Sequence, residues 1–452
     1  MLQKLLYQLN RLLPQKKARE PQQIQEKLLT LDEAGEYVQK TFAKNEDETR
    51  NNIFNSATAG KPDAIKQAQN YIRDLLEEHL VTVEGYDLDA ATEAIFRRYW
   101  GLGPLDELYH QPGIDEIRVL DDGRVFVTRQ GKHEKTPIVL KPQETEELIR
   151  RMIIHDTGVS LDESSPRLEA IREDGSRLTA MCRPVARDFC FALRKRDTVD
   201  MSVENLTRLG TLNEKVWKLL SLLVKGRCNI LLCGGVGTGK TSLLRKLLGE
   251  LNPKLAVRIL DTDREIRIAE AYPDREILEL ESHPERGAPI DKIFESILRF
   301  TPDVIIVGEY RGYGEARQSI HACSRGHDGS MGTAHFPSPQ EAVRGTAMLM
   351  LEEGLNLDLD TAQIRVAQAY NIVIQMFGDS VRGVKKVVSV TEIIENNGEI
   401  IYNDLIKWEP HGDDFLGSGE WGFTGKPSNK LIDKMKRHGV TETQIREVYN
   451  NG

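Results

Sequence analysis

The run Gly234-Gly235-Val236-Gly237-Thr238-Gly239-Lys240-Thr241 fits the pattern G-x4-G-K-[ST] and stands between an apolar stretch at 229–233 and a helix-periodic segment at 242–251. No other feature restricts the fold as strongly, because such a loop works only where a strand delivers it and a helix N-terminus completes it. The glycines let backbone N–H groups turn toward a phosphate, and the helix adds its positive end. Gly234, Gly235, Gly237, Thr238, Gly239, Lys240, Thr241 and Ser242 are therefore candidate nucleotide-binding residues. Lys240 is placed for the β/γ-phosphates, and the Thr241 hydroxyl for ligation of Mg2+. The plain alternative is a glycine-rich turn that binds no nucleotide, and the strand–loop–helix context argues against it.

Around this loop, from about 211 to 409, apolar strand-length runs alternate with helical ones: 229–233, 242–251, 257–261, 292–300, 304–307 and 316–324. That alternation predicts βαβ units and a parallel sheet with helices on both faces. From 99 to about 196 the pattern differs. A turn-rich segment at 101–108 precedes strands at 116–120 and 124–129 around Asp121-Asp122-Gly123, which fits a hairpin. A helix at 144–155 and strands at 177–182 and 189–195 complete a smaller α+β domain. Further upstream, 41–61 is polar and reads as loop or linker, and 62–80 as a helix. The first twenty residues put leucines on one stripe beside Lys4, Arg11, Lys16, Lys17 and Arg19. A docking helix for a membrane surface or partner and a helix packed on its own protein both fit that stripe. The expected domains are an N-terminal helical and linker segment at 1–85, an α+β domain at 86–205, a P-loop domain at 206–410 and a tail at 411–452. Within the tail, 412–425 is glycine-rich and 427–436 reads as a helix.

Composition narrows the classes. With 39% hydrophobic and 29% charged residues the chain is neither fibrous nor disordered. No uncharged apolar run approaches the roughly 18–20 residues of a membrane span, so a cytoplasmic protein is expected. Five cysteines without a C-x-x-C pair give no disulfide framework or thiolate zinc site. Lys and Arg total 61 against 70 Asp and Glu, a net charge of −9, which gives no general attraction to nucleic acid.

Two further segments carry chemistry. Residues 303–309, Asp-Val-Ile-Ile-Val-Gly-Glu, form an apolar strand ending in a carboxylate. In a parallel sheet the C-terminal strand ends line the ligand crevice, so Glu309 is a candidate to polarise a water or hold a metal's hydration shell. His327 and His335 lie in Gly326-His327-Asp328-Gly329-Ser330-Met331-Gly332-Thr333-Ala334-His335. The spacing leaves open a loop that closes over an anion and a purely structural pair.

The set GGVGTGKTSLL at 234–244, VIIVGEYRG at 304–312 and RGHDGSMGTAHFPSP at 325–339 resembles the ATPases of type II and type IV secretion and type IV pili. Within them it looks most like the tight-adherence (Flp) pilus assembly ATPases, CpaF/TadA-like, which are related to conjugation ATPases. Upstream pieces match as well: GLGPLDEL at 101–108, IDEI at 114–117, LDESSP at 161–166, DGSR at 174–177 and LRK at 193–195. The resemblance runs from about 99 to 394. It implies an α/β fold: a RecA-like P-loop NTPase domain preceded by a smaller α+β domain and an N-terminal helical segment. It makes Glu309 the Walker B glutamate, followed by Arg311, and 326–335 a histidine box with His335 on the γ-phosphate side. Arg172, Arg177, Arg194 and Lys195 match basic positions that face the nucleotide, with Arg167 a weaker candidate. The family's acidic box departs here to Ile259-Leu260-Asp261-Thr262-Asp263-Arg264-Glu265, where Asp261 and Glu265 are favoured and Asp263 is held in reserve. The implied cofactors are ATP and Mg2+. The implied function is a hexameric ATPase, peripherally attached to the inner face of the cell membrane, that powers pilus assembly or protein secretion through an inner-membrane platform. The alternatives are a P-loop motor of conjugative or DNA-transfer machinery and a nucleotide-gated scaffold with little turnover.

Overall fold

The computed structural model describes residues 27–44, 47–153, 160–195, 200–261, 266–312 and 314–450. The leucine stripe of the first twenty residues lies outside them. The chain divides into two compact units, Met1–Arg129 with Glu134–Thr198, and Gln130–His133 with Val199–Gly452.

In the first unit, helices Leu31–Lys44, Glu48–Thr58, Pro62–Glu78 and Leu88–Tyr99 enclose a core that includes Val38, Phe54, Ile72, Leu76 and Ile95. Beside them runs a short parallel pair, β1 (Lys27–Leu29) and β2 (Val81–Val83). The polar stretch 41–61 is thus not a linker, since it carries the end of one of these helices and all of the next. Asp47 caps the latter by accepting from the Arg50 amide, and Phe54 and Ala57 turn inward, so a few apolar residues at helical spacing suffice among polar ones.

The rest of this unit is a six-stranded sheet of β3 (Ile114–Val119), β4 (Arg124–Arg129), β5 (Lys132–Val139), β6 (Arg167–Ile171), β7 (Arg177–Met181) and β8 (Cys190–Arg194), in the order β5-β4-β3-β8-β7-β6. The expected hairpin joins β3 and β4. Its Gly123, at φ +81°, has no room for a side chain, because a Cβ would stand 2.0 Å from the Leu140 carbonyl oxygen. Alternation sends Leu178, Ala180, Phe191 and Leu193 to the core with Leu148 and Ile149 of the helix Pro142–Met152.

The second unit is built on nine strands: β9 (Ile230–Cys233), β10 (Val257–Leu260), β11 (Ile277–Leu280), β12 (Val304–Glu309), β13 (Met331–Ala334), β14 (Ile372–Asp379), β15 (Val384–Asn396), β16 (Glu399–Pro410) and β17 (Gly419–Gly422). Their order is β11-β10-β12-β13-β9-β14-β15-β16-β17, parallel from β11 to β14 and antiparallel beyond. The four-residue strands β9, β10 and β13 are buried on both faces, as continuous apolar runs in a parallel sheet must be. One face packs on helices Glu214–Lys225 and Lys240–Leu248 through Val216, Leu219, Leu243 and Leu247. The other packs on Ile290–Arg299, Glu315–Ser324, Pro339–Glu352 and Leu359–Ala369 through Phe294, Ile320, Val343 and Val366.

The antiparallel extension β15–β17 is absent from the sequence-based expectation, although VVSVTEII at 387–394 is a β-branched run of strand type. Part of the glycine-rich stretch 412–425 forms edge strand β17. After it, helices Asn429–Arg437 and Glu442–Asn450 place Leu431, Met435, Ile445 and Val448 in the same core as Leu243 and Leu247.

Candidate functional site

The parallel register aligns Cys233 with Ala334 and Leu260 with Val307, so the loops after β9, β10, β12 and β13 emerge at one end of the sheet. After Cys233 the chain turns through Gly234, Gly237 (φ +73°) and Gly239 (φ +92°) into the helix Lys240–Leu248. Gly234 must lack a side chain because a Cβ would stand 2.4 Å from the Met376 carbonyl oxygen. Around Gly237 there is open space. The helical ladder starts with the Leu243 amide on the Gly239 carbonyl, so the amides of Lys240, Thr241 and Ser242 precede it. Lys240 is only 5% exposed and donates from Nζ to the carbonyls of Gly234 (3.0 Å) and Gly235 (2.9 Å). Thr238 Oγ1 donates to Gly235 O at 2.9 Å. This lysine therefore belongs to the loop's internal bonding as well as to any ligand it meets.

Glu309 ends β12, where pairing with β13 shifts register between Val307 and Glu309. Gly308 occupies the shift, since a Cβ there would stand 2.6 Å from Asp261 Oδ1. An irregularity of this kind re-aims the residue that follows it. The Glu309 carboxylate accepts from Arg311 at Oε2, at 3.1 Å from Nε and 2.8 Å from Nη2. At Oε1 it meets His335 Nε2 in a short contact. His335 Nδ1 lies 3.3 Å from Lys240 Nζ. An ammonium only donates, so Nδ1 accepts, and Nε2 carries the hydrogen given to Glu309. Burial pushes the Glu309 carboxyl up, but the hydrogen bonds from Arg311 and His335 and the Arg311 charge outweigh it and hold it below the usual carboxylate range. Such a carboxylate is ionised at neutral pH. It is a weak proton acceptor and a good acceptor for an oriented water or a metal's hydration shell.

Asp261, 5% exposed, follows β10 beside Gly308, and its Oδ2 accepts the Ile266 amide at 2.9 Å. Thr262, Asp263 and Glu265 lie outside the described residues, so Asp261 alone places the acidic box.

The two histidines are not together. His335 follows β13, whereas His327 precedes it, with Nδ1 2.9 Å from the Pro302 carbonyl oxygen. Four strand residues, about 13 Å at the usual rise, separate the two ends. Of the two readings that the spacing leaves open, the geometry brings only His335 to the glycine-loop end of the strand. The loop at His327 is tied elsewhere. Asp328 accepts from Lys434 Nζ at 2.6 Å and contacts His438 Nε2 at 3.1 Å, joining it to the helix Asn429–Arg437 and the residue after it. Burial pushes the Asp328 carboxyl up, and Lys434 and His438 more than reverse that. No local sequence signal reveals this cluster, since its members lie more than a hundred residues apart.

The basic candidates of the first unit divide. Arg172 is buried, donating to Asp174 Oδ2 at 3.0 Å and to the Thr58 carbonyl at 3.2 Å. Lys195 donates to the Gln111 carbonyl at 3.2 Å, and burial pushes its amine pKa down. Both are engaged inside their own unit. Arg177 and Arg194 are paired across β7 and β8, on the face away from Leu178 and Leu193. Arg167 is exposed, 2.7 Å from Glu169.

The donors at the end of β9 and β12 suit a nucleoside polyphosphate with Mg2+: first-turn amides, an ammonium, a threonine hydroxyl and carboxylate oxygens, the hard ligands that cation takes. His335→Ala should therefore lower turnover roughly 10- to 100-fold while weakening ATP binding less, and His327→Ala should have the milder effect. Steady-state kinetics with separate nucleotide-binding measurements checks this. Equal losses of ATP and ADP affinity at unchanged maximal rate would make His335 a plain binding residue.

Among the described residues no helix is long and apolar enough to cross a membrane. The family described as type II/IV secretion system protein matches residues 107–383. A putative conjugal transfer protein of Mycobacterium tuberculosis is 28% identical over 251 residues, covering 53% of this chain and 70% of the relative. A probable conjugal transfer protein, TrbB, of Sinorhizobium fredii is 26% identical over 241 residues, covering 52% and 72%. The X-ray structure of the Legionella pneumophila ATPase DotB overlaps 75% of this chain and 83% of its own, with 14% identity and a TM-score of 0.45.

Proposed function

This chain belongs to the type II/IV secretion system protein family, and from that premise we propose that it is a Mg-dependent ATPase driving a pilus-assembly or secretion machine. The observation that carries the proposal is the linked set Lys240–His335–Glu309 at the mouth of the glycine loop. Bound there, Mg-ATP supplies the phosphoanhydride bond whose hydrolysis releases the energy. The loop amides and Lys240 would hold the phosphate chain, Thr241 would ligate the cation, and Glu309 would orient the attacking water, with Asp261 beside Gly308. Arg311 and His335 keep the Glu309 carboxylate ionised and aimed.

By resemblance to the tight-adherence pilus ATPases, the working form is a cytoplasmic hexamer that acts on an inner-membrane platform. Turnover per chain should then rise with protein concentration as rings assemble. ATPase assays across a concentration series, with molecular mass followed by light scattering, test this. Turnover at background with Mg-ATP would leave a nucleotide-gated scaffold, and turnover independent of concentration would remove the ring requirement. The names of the conjugal transfer relatives favour a second reading, a motor of DNA-transfer machinery. Stimulation by DNA and not by the cytoplasmic domain of a platform protein would select it, against the net negative charge of the chain.

A further inference from the structure

The glycine loop has two flanks. β13 and β12 lie on one side of β9 and bring His335 and Glu309, whereas β14 and β15 lie on the other. On this second side the loop is seated on the β14–β15 hairpin. Gly234 approaches the Met376 carbonyl, and a Cβ on Gly378 would stand 3.2 Å from Thr238 Cγ2. Gly378 pairs with Lys385 across the antiparallel ladder, and residues paired in this way project to the same face. Lys385 therefore projects to the side on which Gly378 meets the loop. Its stem reaches the loop, with Cδ 3.6 Å from where a Cβ on Gly239 would be. The next residue, Lys386, turns to the opposite face, where its ammonium stands 3.4 Å from the centre of the Trp408 ring. Strand alternation thus gives one of two adjacent lysines to the aromatic core and the other to the phosphate loop.

The Lys385 stem beside Gly239 stands next to the N-terminal end of the helix Lys240–Leu248, which is itself positive. An anionic phosphate chain on the loop would attract both the helix end and a lysine that reaches the same loop. We infer that Lys385 is a second phosphate-binding lysine of the nucleotide site, pairing with the β-phosphate. This rests on the reading of the glycine loop as an ATP site. Because Lys385 stands on the flank away from Glu309 and His335, it serves the phosphate that ATP and ADP share and takes no part in cleavage of the terminal one.

Equilibrium titration of the full-length protein with ADP and with a non-hydrolysable ATP analogue tests the assignment. Lys385→Ala should weaken both by about 10-fold, and Lys385→Arg should recover most of that loss. At saturating ATP, kcat should stay within about twofold of the parent while KM rises. Lys385→Gln, which keeps the stem against Gly239, is the second variant should truncation disturb the hairpin, and thermal unfolding without nucleotide monitors that. Lys240→Ala run alongside separates the two readings. If Lys240→Ala binds nucleotide as the parent does, the glycine loop is not the ATP site. If Lys240→Ala abolishes binding while Lys385→Ala and Lys385→Gln leave ADP affinity within about twofold, the loop reading stands and the role of Lys385 is overturned. A loss confined to the ATP analogue, or an Arg variant as weak as the Ala variant, overturns it equally.

Discussion

Lys240→Ala should weaken nucleotide binding at least about 100-fold and bring turnover to background with the chain still folded. The buried ammonium donates both to the loop carbonyls of Gly234 and Gly235 and to His335. Removing it takes away a charge for the phosphates, a staple of the loop and the donor that sets the His335 tautomer. The cost to stability is modest, because the loop stands at the end of the sheet and the apolar core beneath it, including Leu243 and Leu247, is untouched. A loss of about 1 kcal/mol would lower Tm by roughly 2–4 °C in a unit of this size. Binding of a fluorescent ATP analogue and a thermal melt decide the matter. Unchanged affinity would show that the glycine loop does not hold nucleotide.

Glu309→Gln should leave ATP affinity near that of the parent and lower hydrolysis by roughly 100- to 1,000-fold. The carboxylate uses both oxygens, one for Arg311 and one for His335. An amide has a single acceptor oxygen, so its NH2 group would face either the guanidinium or the imidazole N–H, a donor opposed to a donor. The negative charge that orients water or supports a metal's hydration shell is lost as well. Single-turnover hydrolysis with bound ATP measures the chemical step directly. A rate within a few-fold of the parent would move the role to Asp261 or Glu265, and the corresponding amide substitutions there would rank them.

Much of this site was legible because its parts are local. The glycine loop needs its residues consecutive, and Glu309 follows from an apolar run ending in an acid, so spacing alone predicts both. His335 and His327 were equally visible, yet spacing did not reveal which end of β13 each occupies. Pairing of β13 with β9 settled that. The 41–61 stretch misled for another reason: its polar residues reflect an exposed helical face, while Phe54 and Ala57 do the packing.

By itself, then, the sequence determined that a strand and a helix flank a glycine loop, that a parallel α/β sheet surrounds it, and that an acid ends a neighbouring strand. These depend on periodicity and on residues within one or two elements. Only the tertiary structure decided that β14 and β15 form the second wall of the loop, that Lys385 rather than Lys386 reaches it, and that the helix Asn429–Arg437 holds Asp328. Those facts depend on which strands become neighbours and on cross-strand register, where a shift of one residue reverses every side chain. Neighbour order arises from packing the whole sheet between its two helical layers, so no window of the sequence carries it.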